Sequence, residues 1–291
     1  MNSYFLIIMA DILYAGNFAL QKLYQKKAGT SLKAGLWFNG LGGIFSALMY
    51  MAMNKFEIHI SLYSVLSASL YAFTGMAYVI LGIKVMEKGN VSMYSLFLMS
   101  GGMIVPYIWG VLFLDERLTI MRTIGLLVFV AAIVISNSSR EKFDKKQLAM
   151  CIGIFLCNGI TSVVTKIHQI HPVSEYVTTI DYSFLGTICR AIMCLLIGIV
   201  AGKKSSGADE PKIKLLPLMP TIIAAAVLCG IGFIFQLVGS KEIPATILFP
   251  LITGCSVIFS TLAGLIIYKE KLSAKQWFGI ALCFGGTLFF L

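Results

Sequence analysis

The chain alternates between long apolar blocks and short polar interruptions. Each block is close in length to the roughly 20 residues that an α-helix needs to cross about 30 Å of hydrocarbon. The pattern therefore predicts an all-α, polytopic membrane protein with ten transmembrane helices. We place these helices at residues 3–24, 33–53, 62–84, 91–114, 119–137, 147–167, 174–201, 217–238, 245–268 and 274–291.

The composition excludes most other classes of protein. Hydrophobic residues make up 58% of the chain and charged residues 12%, whereas soluble domains carry about 25% charged residues. So little polar material cannot cover the surface of a water-soluble fold, and we expect a multi-pass protein of the cell membrane. The basic residues fall mainly in short loops, where they set membrane orientation, so we expect no nucleic-acid partner.

The sequence also argues against an enzyme. It contains no nucleotide-binding motif, catalytic triad or zinc motif, so we expect no catalytic residue, cofactor or metal. The seven cysteines lie inside apolar blocks, and we interpret them as small core residues, not as disulfides or metal ligands.

A long internal repeat appears when the chain is shifted by 154 residues. This shift lays residues 90–137 on 244–291 without a gap and places Glu116 on Glu270. Both glutamates stand in a charged island between two apolar blocks. The polar interruption at 138–147 divides the chain almost in half.

Each half of the chain therefore holds five predicted helices. Residues 1–146 form the first predicted repeat, and residues 147–291 form the second. Because five is an odd number, the second repeat enters the membrane from the opposite side. Two such inverted repeats allow a central site to face either side of the membrane in turn.

Short motifs resemble those of a known family. The segment Gly-Asn-Phe-Ala-Leu-Gln-Lys at 16–22 resembles the Gly-x-Asn-Phe-x-x-x-Lys pattern of the drug/metabolite transporter superfamily, EamA-like branch. Asp-Glu-Arg-Leu-Thr at 115–119 and Lys-Glu-Lys-Leu-Ser at 269–273 resemble that branch's repeated Gly-Glu-Arg-Leu-[Ser/Thr] turn. Asp115 and Lys269 stand where the family usually has glycine.

The resemblance implies a ten-helix secondary transporter that exports or exchanges a small metabolite, amino acid or drug by alternating access. Since the chain has no ATP-binding motif, the energy would come from protons or from a counter-substrate. A lipid-linked carrier flippase of the same fold is the alternative. The expected partners are a small-molecule substrate, protons or a counter-substrate, and membrane lipid, and the expected assembly is a monomer or a homodimer.

Helix 1 carries a polar stripe on an otherwise apolar segment. At about 100° per residue, Asp11, Tyr14 and Lys22 share one face, with Asn17 and Gln21 at its edge. Polar groups are costly inside a membrane unless they are paired or hydrated, so this face is predicted to border a cavity. Two roles stay open for Asp11: binding of a proton or substrate, or an interhelical hydrogen bond.

Helix 6 carries a second stripe, which includes Asn158 and Thr161. Such stripes either line a site or join helices by hydrogen bonds. Lys166 and Lys22 each lie within a turn or two of a helix end. Each lysine is therefore a candidate for binding substrate or for reaching out to the lipid headgroups.

Helix 7 holds two charged residues, Asp181 and Arg190. They are nine residues apart and lie on opposite faces, so they cannot pair within the helix. Each needs a partner on another helix or water, and Asp11 is a candidate partner for Arg190 from its depth alone. Contact with substrate or protons and structural ion pairing both stay open for these two residues.

Two further pairs of polar residues are predicted to lie in loops. Glu116 and Glu270 are predicted to cap helices 5 and 10, because a carboxylate stabilises the N-terminal end of a helix. His168 and His171 are predicted to flank the start of helix 7, and we expect no metal site from them.

Two arguments about membrane orientation disagree. Most Lys and Arg residues follow odd-numbered helices, and the positive-inside rule places those loops in the cytoplasm and both termini outside. The family resemblance implies the reverse, with both termini inside. We follow the charge distribution.

Overall fold

The structure of the protein, a computed structural model, describes residues 2–86, 91–137, 144–204, 215–269 and 273–290. The described residues form ten α-helices and no β-strand, which confirms the predicted all-α fold. The helices are α1 (Ser3–Ala28), α2 (Leu32–Met53), α3 (Leu62–Met86), α4 (Val91–Phe113), α5 (Ile120–Asn137), α6 (Lys145–Ile170), α7 (Thr179–Lys204), α8 (Met219–Glu242), α9 (Ala245–Tyr268) and α10 (Ala274–Leu288).

Most of these helices can cross a membrane. In the described part of the chain, eight helices are long and apolar enough to do so by themselves, while α5 and α10 are shorter. Large apolar side chains such as Phe73, Leu112 and Ile266 are exposed on the outside of the bundle. Helices satisfy their own backbone hydrogen bonds, as a hydrocarbon environment requires. The chain is therefore a multi-pass membrane protein.

The predicted helix bounds hold to within a few residues except at the start of α7. That helix begins at Thr179 and not at residue 174. The preceding segment Pro172–Glu175 forms a separate 3₁₀ turn, which Pro172 can start because it needs no backbone N–H there. A second 3₁₀ turn, Leu216–Leu218, precedes α8.

The contacts between helices are nearly symmetric between the two halves of the chain. Helix α1 packs on α8 and α9, and its counterpart α6 packs on α3 and α4. The pairs α2 and α7, α4 and α9, and α5 and α10 each join equivalent helices. This pattern is the one expected for two inverted five-helix repeats. The predicted boundary between residues 146 and 147 falls in the first turn of α6, and that division of the chain stays a prediction.

The repeat is also visible in the backbone. Asp115 and Lys269, which are 154 residues apart, both lie in the left-handed region with φ of 51°. This conformation costs a residue with a side chain about 1–2 kcal/mol, which explains the glycine usually found there in the family that the turn resembles. Asp115 after α4 and Lys269 after α9 therefore share the same backbone conformation at equivalent positions of the repeat.

The helices separate into two packed groups. Helices α4, α5, α9 and α10 supply most of the largest apolar core, which includes Phe129, Ile133, Leu248 and Leu251. The other six helices, three from each half of the chain, surround a central cavity.

Candidate functional site

The central cavity has a volume of about 330 Å³ and lies among α1, α2, α3, α6, α7 and α8. Apolar walls come from side chains such as Phe38, Ile222 and Phe233. Most of the remaining lining residues are polar. They are Tyr14, Asn17, Gln21, Asn39, Ser46, Tyr50, Tyr71, Tyr78, Asn158, Thr161, Ser162, Thr165, Thr187, Arg190 and Gln236, together with Cys229.

Close packing of α4 against α6 brings part of this polar surface into position. A Cβ atom on Gly159 would collide with the side chain of Val105, so glycine lets the two helices approach. At the same level, Asn158 donates a hydrogen bond from Nδ2 to the carbonyl oxygen of Leu98, at 2.7 Å. This bond fixes the Asn158 amide at the cavity wall.

Tyrosine hydroxyls are held by acceptors on α8. The hydroxyl of Tyr14 donates to Oε1 of Gln236 at 2.7 Å, and that of Tyr50 donates to the carbonyl oxygen of Gly230 at 3.0 Å. The two rings therefore form rigid walls that join α1 and α2 to α8. By contrast, no hydrogen bond joins the side-chain amides of Asn17 and Gln21 to another residue in the described ranges.

Arg190 projects into the cavity from the middle of α7. Its guanidinium is a hydrogen-bond partner of the Tyr71 hydroxyl, and Tyr78 is close to it. Among the described residues that line the cavity, Arg190 is the only charged one. The cavity is therefore polar and positively charged, with no carboxylate in that lining.

The structure brings six of the ten predicted site residues to the cavity. These are Tyr14, Asn17, Gln21, Asn158, Thr161 and Arg190. Thr161 shares a hydrogen bond with Thr74 of α3 at 2.7 Å, so it also joins α6 to α3. The binding role of all six stays a prediction, and the other four predicted residues lie outside the cavity lining.

Asp11 is fully buried between α1 and α9. Its Oδ1 atom accepts a hydrogen bond from the Ser256 hydroxyl at 2.6 Å, and its Oδ2 atom has no partner among the described residues. The suggested pairing of Asp11 with Arg190 is therefore wrong. Asp11 lies one helical turn from Tyr14, behind the cavity wall.

Asp181 lies at the start of α7 and not deep within an apolar block. It accepts hydrogen bonds from the backbone N–H and the hydroxyl of Thr178, at 2.9 and 2.8 Å, and from Nδ2 of Asn54 at 2.8 Å. Its carboxylate is also 3.5 Å from Nδ1 of His59. Because α7 starts five residues later than predicted, Asp181 stabilises the N-terminal end of this helix and attaches it to the α2–α3 connection.

Lys166 is held at the C-terminal end of α8. Its Nζ donates hydrogen bonds to the carbonyl oxygens of Ser240 and of Ile243, the latter at 2.8 Å. Lys22 lies with its Nζ 4.7 Å from the ring centre of Tyr268 at the end of α9. Lys22 therefore contacts the end of a helix from the opposite half of the chain, whereas Lys166 contacts the end of a helix in its own half.

The prediction that Glu116 caps α5 is wrong. Its two carboxylate oxygens accept hydrogen bonds from the backbone N–H groups of Ala245 and Thr246, at 2.6 and 2.8 Å. Glu116 therefore caps α9, in the other half of the chain. Glu270, which was predicted to cap α10, lies outside the described residues.

The two histidines also differ from their predicted setting. His168 is buried within α6, where Nε2 is 2.9 Å from the Ser64 hydroxyl and the ring stacks on Tyr182. His171 ends α6 and stacks on Tyr63. Within the described ranges, no group of three His, Cys, Asp or Glu residues could hold a metal ion.

Helices α2, α3 and α8 also contribute to the cavity, and their residues were not among the predicted site residues. Tyr71 and Tyr78 are seven residues apart and therefore share one face of α3. Gln236 is an isolated polar side chain in the apolar segment of α8. Both were visible signals, because an uncharged polar group in a membrane helix needs a polar partner or a cavity.

Comparisons with known proteins agree with this architecture. The model of the EamA-like transporter family matches residues 145–291. A relative from Proteus mirabilis (strain HI4320), described as a probable 4-amino-4-deoxy-L-arabinose-phosphoundecaprenol flippase subunit ArnE, is 37% identical over 100 residues, which are 34% of this chain and 86% of the relative. One protein of known crystal structure has the same fold, with a TM-score of 0.75 at 17% identity, covering 99% of this chain and 95% of the other. The chain therefore belongs to the EamA-like transporter family.

Proposed function

We propose that the protein is a secondary transporter that moves a small solute across the membrane through the central cavity. The main support for this proposal is that both halves of the chain contribute residues to the cavity lining. Helices α1–α3 of the first half and α6–α8 of the second half contribute to it together. A polar cavity between two inverted repeats is the arrangement in which transporters bind substrate near the middle of the membrane.

The two ends of the cavity support an alternating-access mechanism. At one end, the lining reaches Phe38 and Ile222, beside the C-terminal end of α1. At the other end, an apolar cluster that includes Tyr182, Leu185 and Leu237 packs against Phe233 of the cavity lining. Since α1 and α6 are equivalent helices, a rocking motion that exchanges the packing at the two ends would open the cavity to the opposite side.

The energy for uphill movement would come from protons or from a counter-substrate. The chain contains no ATP-binding motif. Asp11 is our candidate for proton coupling. It is a buried carboxyl one helical turn from Tyr14, and one of its oxygens has no partner among the described residues. Export and exchange of a metabolite, an amino acid or a drug all fit this scheme.

A lipid-linked carrier flippase is the second candidate function. The observation that favours it is the name of the Proteus mirabilis relative, which refers to a phosphoundecaprenol-linked sugar. A flippase would hold the polar headgroup of the lipid in the cavity, while the lipid tail would stay in the membrane.

Transport in proteoliposomes tests both candidates. Solutes that raise the melting temperature of the purified protein would be supplied outside the vesicles, and uptake of the chemically unchanged solute would be measured. A fluorescent lipid phosphate in the same vesicles would report flipping through its accessibility to an impermeant quencher. Uptake of solute supports the transporter, flipping alone supports the flippase, and chemical conversion of the solute would contradict both.

Blocking the cavity provides the control. Cys229 lines the cavity, so a bulky maleimide attached to it should stop transport by the wild-type protein. The Cys229→Ser variant should continue to transport after the same treatment. If maleimide stops both proteins equally, the block acts at another cysteine, and passage through this cavity is not supported.

A further inference from the structure

We propose that the cavity binds an anionic group, a carboxylate or a phosphate, through the guanidinium of Arg190. This inference rests on the proposed transport function, because it names the chemical class of the solute that the same cavity would carry.

The charges around the cavity are unbalanced. Arg190 lies in the lining, whereas the described lining residues include no Asp or Glu. The other polar lining groups are phenols, amides, hydroxyls and one thiol, which are uncharged near neutral pH. The cavity therefore offers one fixed positive charge to whatever enters it.

Within the described part of the chain, no carboxylate pairs with this charge. The groups close to the guanidinium are the phenols of Tyr71 and Tyr78 and the thiols of Cys194 and Cys229. The buried carboxylate of Asp11 is directed to Ser256 of α9, and that of Asp181 is held at the start of α7. A cation inside a membrane protein is costly unless it is paired or hydrated, so an anionic solute would be attracted to this position.

The chemistry of the surroundings fits an oxyanion. A guanidinium presents a planar set of N–H donors that matches the two oxygens of a carboxylate or phosphate. The amides of Asn17 and Gln21, which have no hydrogen-bond partner within the described ranges, add further donors to the same cavity. Phe38 and Phe233 offer an apolar surface to the rest of the molecule, and about 330 Å³ suits a small solute.

Matched pairs of probes test the inference. The melting temperature of the purified protein would be measured with two pairs of compounds, each an anion and a neutral analogue. The pairs are phenylacetate with phenylacetamide and phenyl phosphate with benzyl alcohol. Inorganic phosphate and dihexanoyl phosphatidic acid would be measured as two further anions. We expect the anionic member of a pair to raise the melting temperature in a concentration-dependent way and the neutral member to have little effect. Protection by phosphatidic acid alone would assign the anion to a lipid headgroup, and protection by the soluble anions would assign it to a free solute.

Charge-matched variants locate the effect. Arg190→Gln should weaken the apparent affinity for the anions about 10- to 100-fold, the size expected for losing one charge-assisted hydrogen-bonded pair. Arg122→Gln removes one positive charge from α5, outside the cavity lining, and should behave like the wild type. Arg190→Lys keeps the positive charge, so the anions should still raise its melting temperature, but less than that of the wild type. This variant replaces Arg190→Gln if Arg190→Gln does not fold.

Three results would contradict an anion site at Arg190. The first is an equal rise in melting temperature with anionic and neutral probes, and the second is an undiminished rise in Arg190→Gln. The third is no rise with any anion up to about 10 mM, a high concentration for a transported solute. Transport of an uncharged solute with none of these anion effects would refute this inference alone. Anion binding without movement of any solute or lipid would refute the proposed function and leave the binding site in place.

Discussion

Glu116 and Lys166 hold the two sides of the sharp turn between α8 and α9. The Glu116 carboxylate accepts hydrogen bonds from the N–H groups that begin α9, and the Lys166 ammonium donates to carbonyl oxygens at the end of α8. A negative charge therefore meets the positive end of one helix dipole, and a positive charge meets the negative end of the other. Residues from α6 and from the α4–α5 turn thereby fix the geometry of α8 and α9.

This relationship predicts that both residues stabilise the fold. Glu116→Gln and Lys166→Met should each destabilise the protein by about 1–3 kcal/mol. Glutamine keeps only one acceptor oxygen for the two N–H groups of Ala245 and Thr246, and methionine offers no donor to the carbonyl oxygens of Ser240 and Ile243. The measurement is the melting temperature of the purified protein. Lys241→Met is the matched control, since Lys241 is exposed on the same α8 end and should cost little. Equal effects at Lys166 and Lys241 would contradict the role given to Lys166.

The left-handed backbone conformation of Asp115, the residue before Glu116, gives a second prediction. Asp115 has φ of 51°, a conformation that glycine adopts without steric cost. Asp115→Gly should therefore stabilise the protein, by up to about 1 kcal/mol after the greater flexibility of glycine in the unfolded chain is subtracted. Asp115→Ala is the control, since alanine keeps the strained backbone, and it should give no gain in melting temperature. A gain with alanine equal to that with glycine would mean that the aspartate side chain, and not the backbone, limits stability.

Local sequence patterns were sufficient to predict the helices and part of the cavity. The helical period places Tyr14, Asn17 and Gln21 on neighbouring faces of α1, and all three line the cavity. The same reasoning applied to α6 found Asn158 and Thr161. These residues could be found because a polar stripe on an apolar helix is visible without knowledge of its neighbours.

Other features depend on contacts between distant parts of the chain. Glu116 caps a helix that begins 129 residues later, so its neighbours in sequence could not identify its partner. The depth of Asp181 depends on where α7 begins, and the 3₁₀ turn at Pro172 moves that start. The position of Lys166 depends on the fold of α8 and α9 in the same way.

The position of Asp181 gives a third prediction. Asp181→Ala should destabilise the protein by about 1–2 kcal/mol, because it removes the acceptor for Thr178 and for Asn54 at the start of α7. Asp181→Asn should cost less, since its side-chain oxygen still accepts from Thr178. Glu175→Ala is the control, because Glu175 is exposed in the preceding turn. Melting temperatures report these effects, and loss of transport by Asp181→Asn at wild-type stability would instead indicate a role in the transport cycle.

The fourth prediction concerns membrane orientation. The structure places Lys26 and Lys27 at the end of α1 and Lys33 in the first turn of α2, at the same membrane face. Together with the other basic loops after odd-numbered helices, they predict that this face is cytoplasmic and that both termini are outside. A fluorescent protein fused to the C-terminus should then be dark, and an alkaline phosphatase fusion should be active. A fluorescent fusion with inactive phosphatase would place the termini inside, as the family resemblance implies.

The last prediction concerns proton coupling through Asp11. This carboxyl is fully buried, and only one of its oxygens has a partner in the described structure, the hydroxyl of Ser256. Asp11→Asn has the shape of the protonated acid but cannot release a proton. It should therefore fold and insert, lose proton-driven uptake in proteoliposomes, and keep measurable substrate-for-substrate exchange. Ser256→Ala is the control, because it removes the hydrogen bond and keeps the carboxyl, so its uptake should still follow the pH gradient.

Two outcomes would separate coupling from stability. If Asp11→Asn melts like the wild type and loses only proton-driven uptake, Asp11 carries the proton. If uptake by Asp11→Asn follows the pH gradient as in the wild type, Asp11 has no part in coupling. Asp181 is the other carboxyl considered for this role, but its oxygens are occupied by Thr178 and Asn54. Exchange against a counter-substrate would then be the favoured source of energy, and it would appear as uptake that depends on solute loaded inside the vesicles.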